Sequence, residues 1–295
     1  MLRLALPKGS LEEQTLRLFK EADLAVIRGF RDYNPSIDDP RITQVKILRP
    51  QEIPKYVEEG YFDLGISGWD WVNESEADVE VIADLPYSKQ SSGVVRLVVA
   101  VTEDSDIKKP EEIKPGSRVT TEFPNLTKKY FEDLGIPVEI YFSYGASEAK
   151  VPELMDVVID LTETGSTLRK NRLRIIGTIL ESTTKLLANK QSLKDLEKKK
   201  VIEEIKTLLL GVIEARGKVL LSMNVPEAKL EDLIGILPAM KKPTVSHLFN
   251  NQSNSTEYYA VETVVPKKEV NVLIPKLKEK GAEDILEMNI SKIVK

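Results

Sequence analysis

Residues Val157 to Leu168 read VVIDLTETGSTL, and the rest of the chain is best approached from them. An apolar run of strand character ends in an acid, Asp160, and a Thr-Gly-Ser-Thr turn at residues 164 to 167 follows at once. If that turn opens a helix, the amides of Gly165, Ser166 and Thr167 become free donors at the positive end of a helix dipole, which suits a phosphate. Asp160 then stands where it can accept hydrogen bonds from sugar hydroxyls, so the order of residues suggests a phosphorylated sugar. The same letters also describe an ordinary strand, turn and capped helix, since Thr and Ser cap helices whether or not a ligand is present.

Composition narrows the field. The chain has 295 residues, 41% hydrophobic and 30% charged, which allows two or three domains, each with its own core. No apolar run approaches the roughly 18 residues needed to cross a bilayer. Met1 leads straight into LRLALPKGS, which lacks the apolar core and cleavage site of a secretory signal, so a cytoplasmic location is expected. The absence of cysteine removes disulfides, thiolate metal sites and thiol nucleophiles, and a single histidine, His247, leaves little room for a histidine-rich metal site or a Ser-His-Asp triad. A net charge of −5 argues against a nucleic-acid face, while a few clustered Lys and Arg still suffice for phosphate ligands.

Upstream of the central stretch the pattern of strand, glycine turn and helix recurs. Leu2, Leu4 and Leu6 alternate as in a strand, Pro7-Lys8-Gly9 breaks the pattern, and Ser10 with Glu13 predicts a capping box before Leu11, Thr15, Leu18, Phe19 and Ala22 at helical spacing. Lys8 thus falls between a strand end and a helix start, where open α/β sheets bind ligands, and is either an anion contact or an exposed loop lysine. Residues 51–60 predict a short helix and Phe62 to Ile66 a strand, after which Gly68 marks a tight turn into Trp69, Asp70 and Trp71. Asp70 is either a substrate contact or an acid in the first turn of a helix, and the two tryptophans read as packing residues. The run GVVRLVVAV at residues 93 to 101 predicts a strand covered on both faces, interrupted by Arg96, which must face either a ligand or an ion-pair partner. Strands follow at 118–121 and 138–142, with a helix between them from Pro124-Asn125 to Gly135, and another strand spans 173–180.

Beyond a charged amphipathic helix from Ser192 onward, whose Lys198-Lys199-Lys200 run reads as a solvated face, the order changes. A strand at 219–225, a helix at 226–237, a strand at 244–249, the polar turn NNQSNS, a strand at 257–265, a helix at 267–280 and a strand at 284–290 give βαββαβ, the ferredoxin-like plan. His247 falls in the second of these strands and reads as a packed or surface residue.

Together these residues resemble the long form of the ATP phosphoribosyltransferases. The resemblance covers essentially the whole chain and rests on LALPKGSL at 4 to 11, ILRPQEIPKYVEEGYFDLGISGWD at 47 to 70, RVTTEFPNLTKKYF at 118 to 131, Glu148 with VVIDLTETGSTL, and LPAMKKPTV at 237 to 245. One departure stands out: the family usually places a glycine six residues after the glutamate matched by Glu148, where this chain has Leu154. The resemblance implies an α/β fold with a bilobal, periplasmic-binding-protein-like catalytic region and a C-terminal ferredoxin-like regulatory domain. Residues 1–90 and 172–211 would form lobe I, 91–171 lobe II with the phosphoribosyl loop, and 212–295 the regulatory domain. It further implies attack of N1 of ATP on phosphoribosyl pyrophosphate, with Mg²⁺ on the pyrophosphate and no metal ligand assigned to the protein, as the committed step of histidine biosynthesis under feedback by histidine. Asp160, Lys8 and Arg49 would be catalytic. Glu148, Thr164, Gly165, Ser166, Thr167, Leu168, Gly68, Asp70 and Arg96 would bind substrate, and the assembly would be a homo-oligomer, dimer or hexamer.

Two rivals belong to other classes. A non-catalytic bilobal solute-binding protein would close on a ligand in the same way, and an amino-acid-responsive regulator would keep the C-terminal module but should carry a helix-turn-helix or basic patch, which this sequence lacks.

Overall fold

The computed structural model describes residues 1–29, 32–87, 93–238, 242–249 and 256–295. The chain divides into two compact bodies, Met1–Thr207 and Leu208–Lys295.

The first body opens with strand β1 (Leu2–Pro7), helix α1 (Glu12–Glu21), the short strands β2 (Val26–Ile27) and β3 (Ser36–Ile37), and strand β4 (Ile42–Leu48). Helix α2 (Ile53–Glu58), strand β5 (Leu64–Gly68), helix α3 (Trp69–Ser75) and strand β6 (Glu80–Asp84) complete its first lobe. The second lobe contains β7 (Val94–Thr102), β8 (Arg118–Thr121), α4 (Pro124–Asp133), β9 (Glu139–Phe142), β10 (Val157–Thr162) and α5 (Ser166–Lys170). The chain then returns along β11 (Leu173–Ala188) into α6 (Leu196–Ala215). One sheet runs in the order β4-β1-β5-β11-β7-β10-β8-β9, with β6 also pairing β11. From Leu97 to Val101 strand β7 is continuously apolar, and it is covered on both faces. Leu97, Val99 and Val101 enter one core with Phe123 and Phe131, while Val98 and Ala100 enter another with Val158 and Leu168.

Strand β11 belongs to both lobes. It pairs antiparallel with β7 from Leu173 to Thr183, then with β5 from Thr184 to Ala188. A strand expected to end near residue 180 therefore runs to 188, because the polar residues Ser182, Thr183 and Thr184, which look like an end, find hydrogen-bond partners on α3, on β6 and in the chain after β6. Two further boundaries differ from expectation. Strand β5 begins at Leu64, since Phe62 instead packs against α2 and Asp63 turns into a buried ion cluster. The capping box is not formed. A 3₁₀ turn occupies Gly9–Leu11, and the Glu12 carboxylate, not Glu13, accepts the Gly9 amide at 3.2 Å.

Asp63 ties the first lobe together. Its fully buried carboxylate accepts from Ser192 Oγ and Lys198 Nζ at 2.7 Å each, and from the Arg3 amide at 2.8 Å. Strand β1 and the start of α6 are thus held to one acid. Burial pushes that carboxyl up, but the bonds from Lys198, Arg3 and Ser192 outweigh it and hold the group at about 2.

The second body is strand β12 (Lys218–Pro226), helix α7 (Leu230–Ile234), β13 (Thr244–His247), β14 (Tyr258–Pro266), helix α8 (Lys267–Glu279) and β15 (Glu283–Asn289). Its antiparallel sheet has the order β13-β14-β12-β15, the ferredoxin-like arrangement. Val219, Leu221, Met223 and Val225 alternate inward from β12 onto Val270, Leu273 and Leu277 of α8. The expected 226–237 helix is shorter, a 3₁₀ turn at Glu227–Lys229 preceding α7. The expected NNQSNS turn lies outside the described residues. His247 is exposed and pairs with Glu257 at 2.5 Å.

Because Asp63 is held below the 3.8 of an ordinary aspartate, its stabilisation is present above pH ~3.8 and is lost as pH falls through about 2. Asp63→Asn is expected to lower stability at pH 6 by at least about 2 kcal/mol, with most of that difference from the natural chain gone by pH 2. Urea midpoints measured across that range test it, and a difference that does not change with pH contradicts it.

Candidate active site

The strand ends of both lobes point into one cleft. Gly68 closes β5 and caps α3, and two residues on Asp70 is 3% exposed. The Asp70 carboxylate accepts from Ser182 Oγ, and the Asp70 amide donates to that same Oγ at 3.0 Å, so a residue of β11 fixes the acid from both sides. Gly68 is required by proximity: a Cβ there would lie 2.2 Å from Asp70 Oδ1. Burial raises the Asp70 carboxyl, against the lowering effect of the Ser182 hydroxyl. The pocket around it is mostly apolar, walled by Leu11, Pro50, Trp71, Tyr87, Val95 and Leu161. A mostly apolar slot with a buried acceptor suits an aromatic ring that carries an amino group.

Beside this slot Lys8, Gly9, Ser10, Arg49, Pro50 and Gln51 line a polar cavity. The strand ends of β1 and β4 place its cations, the Lys8 amide donating to Leu48 O at 2.7 Å. Lys8 Nζ donates to the Tyr33 hydroxyl at 2.8 Å and stays exposed.

Across the cleft, Asp160 near the end of β10 accepts from Ser147 Oγ and from the Leu161 amide at 2.7 Å. Burial raises its carboxyl, Glu148 adds to the rise, and the bonds from Ser147 and Leu161 oppose it. Glu122, at the end of β8, is raised first by burial and next by Asp160, while Lys150 and Arg49 pull it down. The charge of Arg49 in the first lobe therefore reaches Glu122 of the second, which also feels the charges of Asp160 and Glu148.

The Thr164 to Thr167 turn differs in detail from the expectation. The Gly165 amide is already taken by Thr162 Oγ1 at 2.8 Å, and the Ser166 amide reaches Thr164 Oγ1 at a long 3.4 Å. Of the three amides expected to serve an anion, that of Ser166 is held only by this long bond and that of Thr167 remains, beside the exposed hydroxyls of Thr164, Ser166 and Thr167. Gly165 has φ +71°, and a Cβ there would meet Arg169 Nη1 at 3.0 Å. Leu168 is buried and anchors α5 in the core. Arg96 pairs across the sheet with Thr162 on one side and Glu181 on the other, so it lies on the face of β7 that leads to this turn. Among the described residues no ion pair holds it.

The structure thus gathers Gly68 and Asp70 at one wall, Lys8 and Arg49 at the next, and Asp160 with Glu148 opposite, with the 164–168 turn following on from β10. Sequence reasoning missed Ser182, Ser147 and Glu122. Glu122 carried a readable signal, an acid between a strand end and a helix start as at Asp70. The two serines carried none, because each holds a residue outside its own element, 112 positions away for Ser182 and 13 for Ser147.

Comparison with known proteins gives a consistent family. The model described as ATP phosphoribosyltransferase matches residues 49–211, and that described as HisG, C-terminal domain, matches 215–292. The ATP phosphoribosyltransferase of Pelotomaculum thermopropionicum is 47% identical over 293 residues, covering 99% of each chain, and that of Desulforudis audaxviator is equally similar. Among solved structures, the ATP phosphoribosyl transferase (HisG:HisZ) complex from Thermotoga maritima superposes with a TM-score of 0.62 at 29% identity, over 72% of this chain and 99% of that one.

Gly68→Ala is expected to destabilise the protein by about 1–3 kcal/mol through the clash with Asp70. In Gly68→Ala/Asp70→Ala the clash is gone, so the alanine at 68 should cost much less there than in the natural background. Thermal or urea unfolding of the four proteins gives the coupling, and additive effects contradict the geometry.

Proposed function

The chain belongs to the ATP phosphoribosyltransferase family, and from that premise we propose that its interlobe cleft joins N1 of ATP to the anomeric carbon of phosphoribosyl pyrophosphate with release of pyrophosphate. The observation that carries this reading is Asp160, half-buried and held by Ser147, standing two residues before the Thr162 that organises the 164–168 turn. A carboxylate for ribose hydroxyls and donors for a 5′-phosphate are then placed by one strand. Glu148 serves the same hydroxyls, and Arg96 adds positive charge on the face that leads to the turn. Lys8 and Arg49 oppose the pyrophosphate or triphosphate.

The adenine fits the apolar slot with its exocyclic amino group toward Asp70. As N1 forms its bond to carbon and the carbon–oxygen bond to pyrophosphate breaks, positive charge spreads onto that amino group, and an acceptor aimed at it favours the transition state over the ground state. N1 has a free lone pair, so no base is needed. The demand on the protein is alignment of two polyanions, for which effective concentrations are worth several powers of ten.

Mg²⁺ takes oxygen ligands in octahedral array and keeps much of its shell from water and phosphate. In this reading the ion arrives on the pyrophosphate, with Glu122, Glu148 or Asp160 at its edge. When bound it neutralises the departing pyrophosphate. We further propose that the C-terminal body takes histidine as an inhibitor and that the protein acts as a homo-oligomer. No described helix is long and apolar enough to cross a membrane.

Mixing the protein with ATP, phosphoribosyl pyrophosphate and Mg²⁺ should produce N1-substituted adenine, followed by its ultraviolet change, and histidine should suppress it. No product contradicts the catalytic reading, and a rate indifferent to histidine contradicts the regulatory one. Asp160→Asn is expected to lower kcat/KM for phosphoribosyl pyrophosphate tenfold or more. Unchanged kinetics would remove Asp160 from the site.

A further inference from the structure

Helix α3 of the first lobe reaches across to α4 of the second. The Glu74 carboxylate accepts the amides of Asn125 and Leu126 at 2.9 Å each, and Asn125 Nδ2 donates back to Glu74 O at 2.9 Å. Two of the orphan donors that open α4 are therefore satisfied by a residue of the other lobe, where a cap would ordinarily come from the residue preceding the helix. Here that residue is Phe123, which has no side chain able to cap, and its ring instead stacks on Trp71 at 4.2 Å. Glu74 is 7% exposed, so these charge-assisted bonds are shielded from water.

The position of Glu74 matters as much as its bonds. Asp70 and Glu74 are four residues apart and share one face of α3, the first fixed to β11 by Ser182 and the second fixed to α4. Helix α4 begins two residues after Glu122, whose carboxyl lies within electrostatic reach of Asp160, Arg49 and Glu148. A single rigid turn of helix thus spans from the acid in the apolar slot to the strand end that carries the opposite carboxylates.

We propose that Glu74 is a positioning residue, a latch that joins the lobes before any ligand arrives and sets the separation between the two halves of the cleft. The lobes of this protein are held by hydrogen bonds in the empty state and do not swing freely on their connecting strands. Substrates then meet a gap of defined width, and alignment is built in before binding.

The natural chain has no cysteine, so Glu59→Cys and Lys129→Cys, exposed on the two lobes, accept spin labels at those positions alone. Pulsed electron spin distances in the unliganded, doubly labelled protein should give one narrow distribution. Adding Glu74→Gln, which keeps the shape but sets an amide NH₂ against a backbone donor, should broaden or shift it. Asn125→Ala, which removes only the return bond, should do so less, and it carries the test if Glu74→Gln does not fold. The kinetic arm rests on the substrate assignment above: kcat should fall tenfold or more in Glu74→Gln, while the affinity for ATP alone changes less than twofold. A distance distribution unaltered by both variants overturns the latch. A loss of ATP affinity equal to the loss of kcat overturns its positioning role, and inactivity of the natural chain with the distance effect intact counts against the substrate assignment and leaves the latch standing.

Discussion

Between Thr183 and Thr184 the partner of β11 changes from Val94 of the second lobe to Gly68 of the first. That switch within one backbone is the constraint on which the first body depends. Hydrogen bonds between adjacent strands tolerate little change in spacing, so a strand that pairs in both lobes holds them in one register. The cleft opens beside this switch, and Ser182, one residue before it, holds Asp70. The acid of the apolar slot is thereby tied to the element that joins the lobes.

Three carboxylates, Asp63, Asp70 and Asp160, fall into two kinds, while the buried Glu74 stands apart, raised by burial yet with both oxygens taken by amides of α4. Asp63 has two cations and a hydroxyl around it and is held well below its ordinary value, as a structural ion cluster should be. Asp70 is also buried and Asp160 half-buried, but each is held by a serine hydroxyl and a backbone amide, with no cation bonded to it among the described residues, and both are raised. A desolvated acid without a countercharge is a poor contributor to stability and a good acceptor for a ligand's donors. The contrast separates the acid that builds the lobe from the acids that face the cleft, although all three stand at or near strand ends.

Much of this was legible in the sequence, and the reasons are physical. The double apolar coverage of β7 leaves a continuous run with no alternation, and the ferredoxin-like module announces itself by the order of its periods. Gly68 and Gly165 mark turns that only glycine fills, the first because Asp70 crowds it and the second because φ is positive. What was hidden is of a different sort. The length of β11 was masked by Ser182, Thr183 and Thr184, a polar run typical of a loop, whose hydroxyls are satisfied by residues about a hundred positions away. The Ser10 and Glu13 pair had the spacing of a capping box, yet Gly9 has φ +86° and the turn tightens into a 3₁₀ form in which Glu12 takes that place. Ser147 and Glu74 act across the fold, and no local period records such partners.

The shared strand also imposes an order on assembly. Strand β5 is an inner strand of the finished sheet, but the residues that cover its second edge, 184–188, are made roughly a hundred residues later, after the whole second lobe. At about 5–20 residues per second a ribosome leaves that edge open for about 5–20 seconds, with every residue from Leu64 to Gly68 destined for burial. A nascent first lobe is therefore a half-built sheet with a sticky rim, and the second lobe must fold as an insert while that rim waits. Synthesis of this protein should lean on chaperones, or on a fast-folding insert, more heavily than its ordinary composition suggests.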